Sequence, residues 1–298
     1  MVTDSAVLEL FGVRVDRGKT ASWEGLVAKQ RCPFTRTKCF KVRKSQPDLS
    51  IGTCVVRYGK AGRAVVICPN RFLERGQVVS DCLHLLSVHE PGNELHLVPE
   101  VSVPGGSIDY FLVSARRGKV RDFVAIEFQA LDTTGSVWPE RQRVLQSLGL
   151  AVPLADRDQT KAFGVNWKMT AKTILVQLHH KGGTFEHIGK RLAVVMQDHL
   201  LAYLRRQFVF DHIGAPRVGD AVHIHAYGLA TSSKGLCLDL RERCSTDADG
   251  VARCLGIHAE MRANLQTIVD DLERRISPNT RFTIGGAPLR SVGQLPSD

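Results

Sequence analysis

The sequence predicts an α/β (α+β) protein, a mixed sheet flanked by helices and preceded by a cysteine-bearing region. Three observations carry this. From about residue 86 the chain runs through strand-like segments and then helix-like ones, the pattern of a sheet covered by helices. Five of the eight cysteines lie in the first third (Cys32, Cys39, Cys54, Cys68 and Cys82), and none occurs from 83 to 236. At 298 residues, 43% of them hydrophobic, the chain can bury the core of one large domain or two moderate ones. The expected boundary falls near residue 85, giving regions 1–85 and 86–298.

The elements follow in order. HLVPEVSVPGGSIDYFLVSAR (96–116) reads as strand, glycine turn, strand, and RDFVAIEFQAL (121–131) as the next strand. The short link SARRGKVRD allows the last two to pair as a hairpin. PERQRVLQSLG predicts a short helix from near Pro139 to Gly149. KTILVQL (172–178) is expected to be a β-branched strand. Thr184 is a plausible N-cap for a helix carrying Ile188, Leu192, Val195, Leu200 and Tyr203. AVHIHAYGL (221–229) reads as a strand. IHAEMRANLQTIVDDLERRIS (257–277) reads as a long amphipathic helix stopped before Pro278. The Gly/Pro-rich tail after Arg281 is expected to be irregular.

Charge narrows the partners. Lys and Arg number 40 against 30 Asp and Glu, a net +10, the profile of a nucleic-acid binder. No apolar run approaches the roughly 20 residues that span a bilayer, so no membrane partner is expected. The opening MVTDSAVLELFG carries Asp4 and Glu9 and no basic stretch, so a signal peptide is not expected and the location is read as cytoplasmic. Clustered cysteines in such a chain suggest metal binding more than disulfides.

The segment FVAIEFQALDTTG (123–135) poses the chemical question. Val124, Ile126 and Phe128 alternate with Ala125, Glu127 and Gln129, so a carboxylate and an amide share one strand face. The preceding strand carries Asp109. Pairing of the two would gather Asp109, Glu127 and Gln129, and Glu100 upstream is a candidate fourth ligand. Such oxygen donors suit Mg²⁺. The plainer alternative is a solvated polar face. Against it stand the acid on the neighbouring strand, the cationic link (Arg116, Arg117, Lys119, Arg121) and the basic chain.

This arrangement resembles the PD-(D/E)XK nuclease superfamily, with one acid on a strand and acid-x-lysine on the next. Here Gln129 holds the lysine position, and Lys168 or Lys172 could assist from elsewhere. Cys32, Cys39, Cys54 and Cys68 are separated by six, fourteen and thirteen residues, a spacing unlike the common zinc knuckles. Their contexts, RCPFTRTKCFKVRKS and VVICPNRF, resemble the N-terminal metal region of the NotI-like restriction endonucleases. That family combines a four-cysteine, iron-bearing site with a nuclease core in which glutamine replaces the lysine. The two features together cover about residues 30 to 135.

The resemblance implies a PD-(D/E)XK nuclease core at 86–298 and a four-cysteine, DNA-contacting region at 1–85. It implies structural Fe or Zn on Cys32, Cys39, Cys54 and Cys68, and Mg²⁺ on Asp109 and Glu127 with Gln129 and Glu100 assisting. Arg36, Lys38, Lys41, Arg43 and Lys44 would contact phosphates. The expected activity is a type II restriction endonuclease that cuts double-stranded DNA at a short GC-rich palindrome as a homodimer. The alternatives are a structure-specific repair or defence nuclease of the same superfamily, or a non-catalytic metal-stabilised DNA-binding protein.

Other signals are weaker. Gly18-Lys19-Thr20 lacks the glycine spacing of a P-loop. Cys237, Cys244, Cys254 and His258 match no familiar metal spacing and read as core cysteines. His223 and His225 share a strand face. Asp247-Ala-Asp-Gly250 lacks the glutamate of a calcium loop, with Gly256 in its place, and a turn suffices.

Overall fold

The computed structural model describes residues 5–17, 22–159, 162–233, 235–255 and 265–282. In chain order these form β1 (Val7–Leu10), β2 (Val13–Arg14), α1 (Trp23–Lys29), β3 (Val42–Arg43), β4 (Gln46–Ser50), β5 (Thr53–Tyr58), β6 (Arg63–Val66), α2 (Gln77–Asp81), β7 (Glu94–Val103), β8 (Gly106–Arg116), β9 (Lys119–Gln129), β10 (Thr133–Thr134), α3 (Trp138–Ser147), α4 (Leu154–Arg157), β11 (Gly164–Val165), α5 (Trp167–His187), β12 (Arg191–Gln197), α6 (Asp198–Gln207), β13 (Val222–Ser232), β14 (Gly235–Thr246), α7 (Ala248–Leu255), α8 (Leu265–Arg275) and β15 (Arg281–Phe282). The architecture is mixed α/β. The elements fall into two compact units that interleave along the sequence. One comprises Met1–Arg71, Ala130–Trp167 and Leu229–Cys237, and the other Phe72–Gln129, Lys168–Gly228 and Leu238–Asp298.

The first unit carries a four-stranded sheet in the order β2-β1-β5-β6. Its core gathers Val7, Leu10, Phe11, Val15 and Trp23 with Val144 and Leu145 of α3, and Cys32 and Cys39 pack among them. Each large apolar side chain so buried contributes roughly 1.5–3 kcal/mol. Arg141 fastens α3 to this unit by donating to the carbonyl of Ile51 (2.7 Å). A buried ion pair joins Glu9 of β1 to Arg71 at 2.9 Å. Arg71 also donates to the carbonyl of Leu236 and lies over the Phe34 ring, so its charge is satisfied on several sides.

The second unit is built on a seven-stranded mixed sheet, β14-β13-β12-β9-β8-β7-β15. Strands β9, β12 and β13 run parallel, whereas β9, β8, β7 and β15 are successively antiparallel. RLAVVMQ of β12 is buried along almost its whole length, as a strand between parallel neighbours should be. The predicted strand, glycine turn and strand at 96–116 form β7 and β8. Pro104 and Gly105, the latter at φ +93°, make the turn. Arg117 and Gly118, both with positive φ, make the two-residue link from β8 to β9, where the mirror-image turn matches the strand twist.

Two expectations are corrected. KTILVQL is not a strand but part of α5, a 21-residue helix. Its buried positions, Ala171, Ile174, Leu175, Leu178, Lys181, Gly182 and Phe185, recur at three and four residues, and that helical period overrides the weak preference of the β-branched residues. Thr184 therefore lies inside α5 rather than at an N-cap. Leu192 and Val195 belong to β12, and Leu200 and Tyr203 to α6. The expected helix at 139–149 is α3, and α8 ends before Pro278 as anticipated. The first part of that last helix, Gly18-Lys19-Thr20, Gly256, His258, Glu260 and the tail after Phe282 lie outside the described residues. No described helix is long and apolar enough to cross a membrane.

Candidate active site

The second unit brings the acids together in one row. Along β7 and β8 the pairs keep one phase from Glu94↔Ala115 to Val103↔Gly106, and the one position in that run that does not pair is Glu100 with Asp109; the phase on either side still sets Glu100 across from Asp109. Between β8 and β9 the turn begins with Arg116↔Lys119 and Ala115↔Val120, then shifts by one residue to Ser114↔Asp122 and continues to Tyr110↔Ile126. Asp109 thus lies across from Glu127. Without that bulge Asp109 would face Ile126, because a one-residue slip exchanges the two faces of a strand. Side chains directly opposed across strands approach to about 4.5–5.5 Å between Cβ atoms, and like charges there repel.

Each acid is held by its surroundings. The Asp109 Oδ2 accepts the Phe128 N–H at 2.7 Å, taking an amide just beyond the last paired residues of β8 and β9. Burial pushes the Asp109 carboxyl above its ordinary value, and Glu100 pushes it further, against the Phe128 amide and Lys181. Burial and the nearby Asp109 raise Glu127 to about 7, against the pull of Lys181. Glu100 adopts φ +50°, a left-handed conformation that costs an L-residue roughly 1–2 kcal/mol. Arg275 of α8 donates to its carbonyl at 2.6 Å. Gln129 stands two residues beyond Glu127 on the same face, at the end of β9 and beside Met196 of β12.

Lys181 joins this row from α5, and sequence reasoning missed it. Its ammonium donates to Glu127 Oε1 (2.5 Å) and to the carbonyl of Ser107 (2.7 Å), and the residue is 5% exposed. Thr184, one turn on, donates to the carbonyl of Pro104 and pins α5 to the β7–β8 turn. A Cβ at Gly182 would stand 3.0 Å from Val222 Cγ2, so glycine permits the close approach of helix and sheet. The signal was present in the sequence: Ile174, Leu178, Lys181 and Phe185 share one helix face, and a lysine among apolar positions needs a partner. Reading the segment as a strand hid it. Lys168 and Lys172 sit nearer the start of α5, and no hydrogen bond or ion pair between either of them and the acids is found.

The four cysteines all belong to the first unit, and all are buried free thiols. A tight loop brings two together: Cys32 N–H donates to the Thr37 carbonyl, Arg36 N–H to the Cys32 carbonyl and Cys39 N–H to the Gln30 carbonyl. The thiols of Cys54 and Cys68 share a hydrogen bond. That contact lowers Cys68 to about 7 and holds Cys54 well above the usual thiol range. Burial and the proximity of Cys68 and Cys32 raise Cys39 to about 11. The donor set is chemically that of a tetrahedral thiolate site. Among the described residues, however, no three His, Cys, Asp or Glu side chains are gathered in an arrangement that would hold a metal ion.

The basic run divides. Arg36, Lys38 and Lys44 are exposed. Lys41 donates to the Ile67 carbonyl. Arg43 is engaged by both oxygens of Asp156 at 2.6 and 2.9 Å and lies over the Trp138 ring. His223 and His225 are buried within the sheet, where desolvation lowers them to about 4 and about 3. Asp247 accepts the Gly250 N–H in a turn entering α7, and Cys244 and Cys254 are buried.

A family model described as restriction endonuclease NotI matches residues 26–212, more than half of the chain, and includes the four cysteines, the acid row and Lys181. The chain belongs to the NotI restriction endonuclease family. No curated protein matches it. Membership makes this NotI-family chain a nuclease that acts on DNA.

Proposed function

We propose that this protein is a type II restriction endonuclease with a PD-(D/E)XK core. It hydrolyses double-stranded DNA in a Mg²⁺-dependent reaction at a short GC-rich palindrome, and it works as a homodimer so that both strands are cut symmetrically. The observation that carries this reading is the row Glu100–Asp109–Glu127 across β7, β8 and β9. Asp109 and Glu127 on adjacent strands, with Glu100 near enough to act on Asp109, carry more negative charge than the one ammonium offsets, which fits a divalent cation. Asp109 and Glu127 would hold it, since Mg²⁺ takes one or two carboxylates and keeps waters. A divalent cation held there would supply Lewis-acid stabilisation of the negative charge that develops in phosphodiester hydrolysis. Glu100 adds negative charge to the row, and Gln129 orients water beside it. In the first unit, Cys32, Cys39, Cys54 and Cys68 would bind structural Fe or Zn, and exposed Arg36, Lys38 and Lys44 contact phosphates.

The test is digestion of a sequenced plasmid with Mg²⁺, with and without EDTA, read by mapping fragment ends. Discrete fragments sharing one palindrome are expected, and Asp109→Asn should slow cutting by about 10²–10³-fold or more. Nicks without a fixed ladder would favour a structure-specific nuclease. Binding without cleavage in any divalent metal would refute the enzymatic reading.

A further inference from the structure

Lys181 is an odd residue to bury for the sake of packing. Its neighbours on the same face of α5 are apolar, and an apolar residue there would satisfy the helix. Burying an ion pair is weak evidence of a stabilising role, because desolvation offsets the attraction. What the arrangement does achieve is position. The lysine stem rises from a 21-residue helix that Thr184 pins to the β7–β8 turn and that Gly182 lets approach the sheet. Glu127 and the Ser107 carbonyl engage two of the three N–H donors of the ammonium. A charged donor is thereby fixed beside two carboxylates.

We infer that Lys181 is a catalytic residue. It donates its remaining N–H to a non-bridging oxygen of the scissile phosphate. This rests on the metal-dependent hydrolysis proposed above. In that reaction the water oxygen forms a bond to phosphorus and one P–O ester bond breaks. The departing oxygen leaves as an alcohol carrying one proton of the water, and the other proton passes to solvent. Lys181 keeps its own proton throughout. Its work is to stabilise negative charge on the phosphoryl oxygens, where a fixed donor in a water-poor site is effective. On this view α5 supplies the cation, and Gln129 on β9 is left to act through its amide.

The experiment compares the wild-type protein with Lys181→Met, Gln129→Lys, Gln129→Lys/Lys181→Met and Asp109→Asn. Three quantities are read for each: the single-turnover rate of plasmid cleavage, the gel shift of the same plasmid in EDTA, and the melting temperature. Lys181→Met should lose about 10²–10³-fold in rate, with its gel shift within about twofold of wild type. In the double variant, a lysine two residues from Glu127 on the strand should recover at least about tenfold of that rate, a rescue that a purely structural lysine would not permit. If Lys181→Met melts, the double variant retains a cation beside Glu127, and its cutting decides the matter in the same way. Cutting by Lys181→Met within about threefold of wild type, with Asp109→Asn inactive, would overturn the lysine assignment and leave the metal site standing. A folded double variant that does not cut, where Gln129→Lys alone does cut, would also overturn it. Wild-type cutting by Asp109→Asn would instead overturn the metal-site reading.

Discussion

Glu9 and Arg71 form an ion pair at 2.9 Å with each side chain only 1% exposed. Removing one partner strands a charge in the core of the first unit, at a cost of about 3–5 kcal/mol. Arg71→Met and Glu9→Gln should each lower the urea midpoint sharply. The combination Glu9→Gln/Arg71→Met should recover part of the loss, because it leaves no buried charge. Strict additivity of the two losses in denaturation curves would show that the pair is not coupled.

Glu100 combines a left-handed backbone with a carboxylate beside Asp109. Glu100→Gly relieves both the steric strain and the repulsion, and a gain of about 1 kcal/mol is expected. The same change removes negative charge from the acid row, so cleavage should fall while the melting temperature rises. A variant that is both less stable and fully active would contradict this account.

Glu127 sets a pH dependence. Its folded value is about 7 against an ordinary 4.5. Between these values the native protein holds a proton that the unfolded chain has released. The contribution of Glu127 to the stability of the metal-free protein is therefore fullest below pH 4.5, is lost as pH rises through 7, and levels off above. Melting temperatures taken in EDTA from pH 4.5 to 8 should decline, and Glu127→Gln should flatten that decline. An unchanged slope in the variant would remove Glu127 as its source.

The four thiols give a metal prediction. Elemental analysis of the purified protein should find iron or zinc, and chelation should lower its melting temperature, because structural metal binding contributes folding free energy. Cys54→Ser should act in the same direction. A protein with neither metal, and indifferent to the chelator, would mean that the four are simply buried thiols.

Much of the geometry of the candidate site could be read in advance, for identifiable reasons. Asp109 and Glu127 lie on alternating apolar strands joined by a short link, so their adjacency was legible. Their register was not. It depends on the one-residue shift after Ala115↔Val120, and nothing in RRGKVRD announces a bulge. Gln129 and Glu100 followed from strand alternation, but the positive φ of Glu100 and the hydrogen bond its carbonyl accepts from Arg275, 175 residues away, did not. Lys181 was hidden because Thr173, Ile174 and Val176 suggested a strand locally, whereas the buried positions spaced by three and four fixed a helix. In the first unit, the strands β1, β5 and β6 are short and give little periodicity.

The interleaving of the two units bears on how such a protein can be altered. The backbone passes from one to the other five times, at 71/72, 129/130, 167/168, 228/229 and 237/238. Neither unit can be lifted out as one continuous stretch, and a break near residue 85 would divide the second unit while detaching only the first segment of its companion. Exchange of target preference between relatives by cassette shuffling is thus poorly suited to this architecture. On the proposed reading, changes in target preference would have to accumulate as individual substitutions within a chain whose two units each draw on non-contiguous segments.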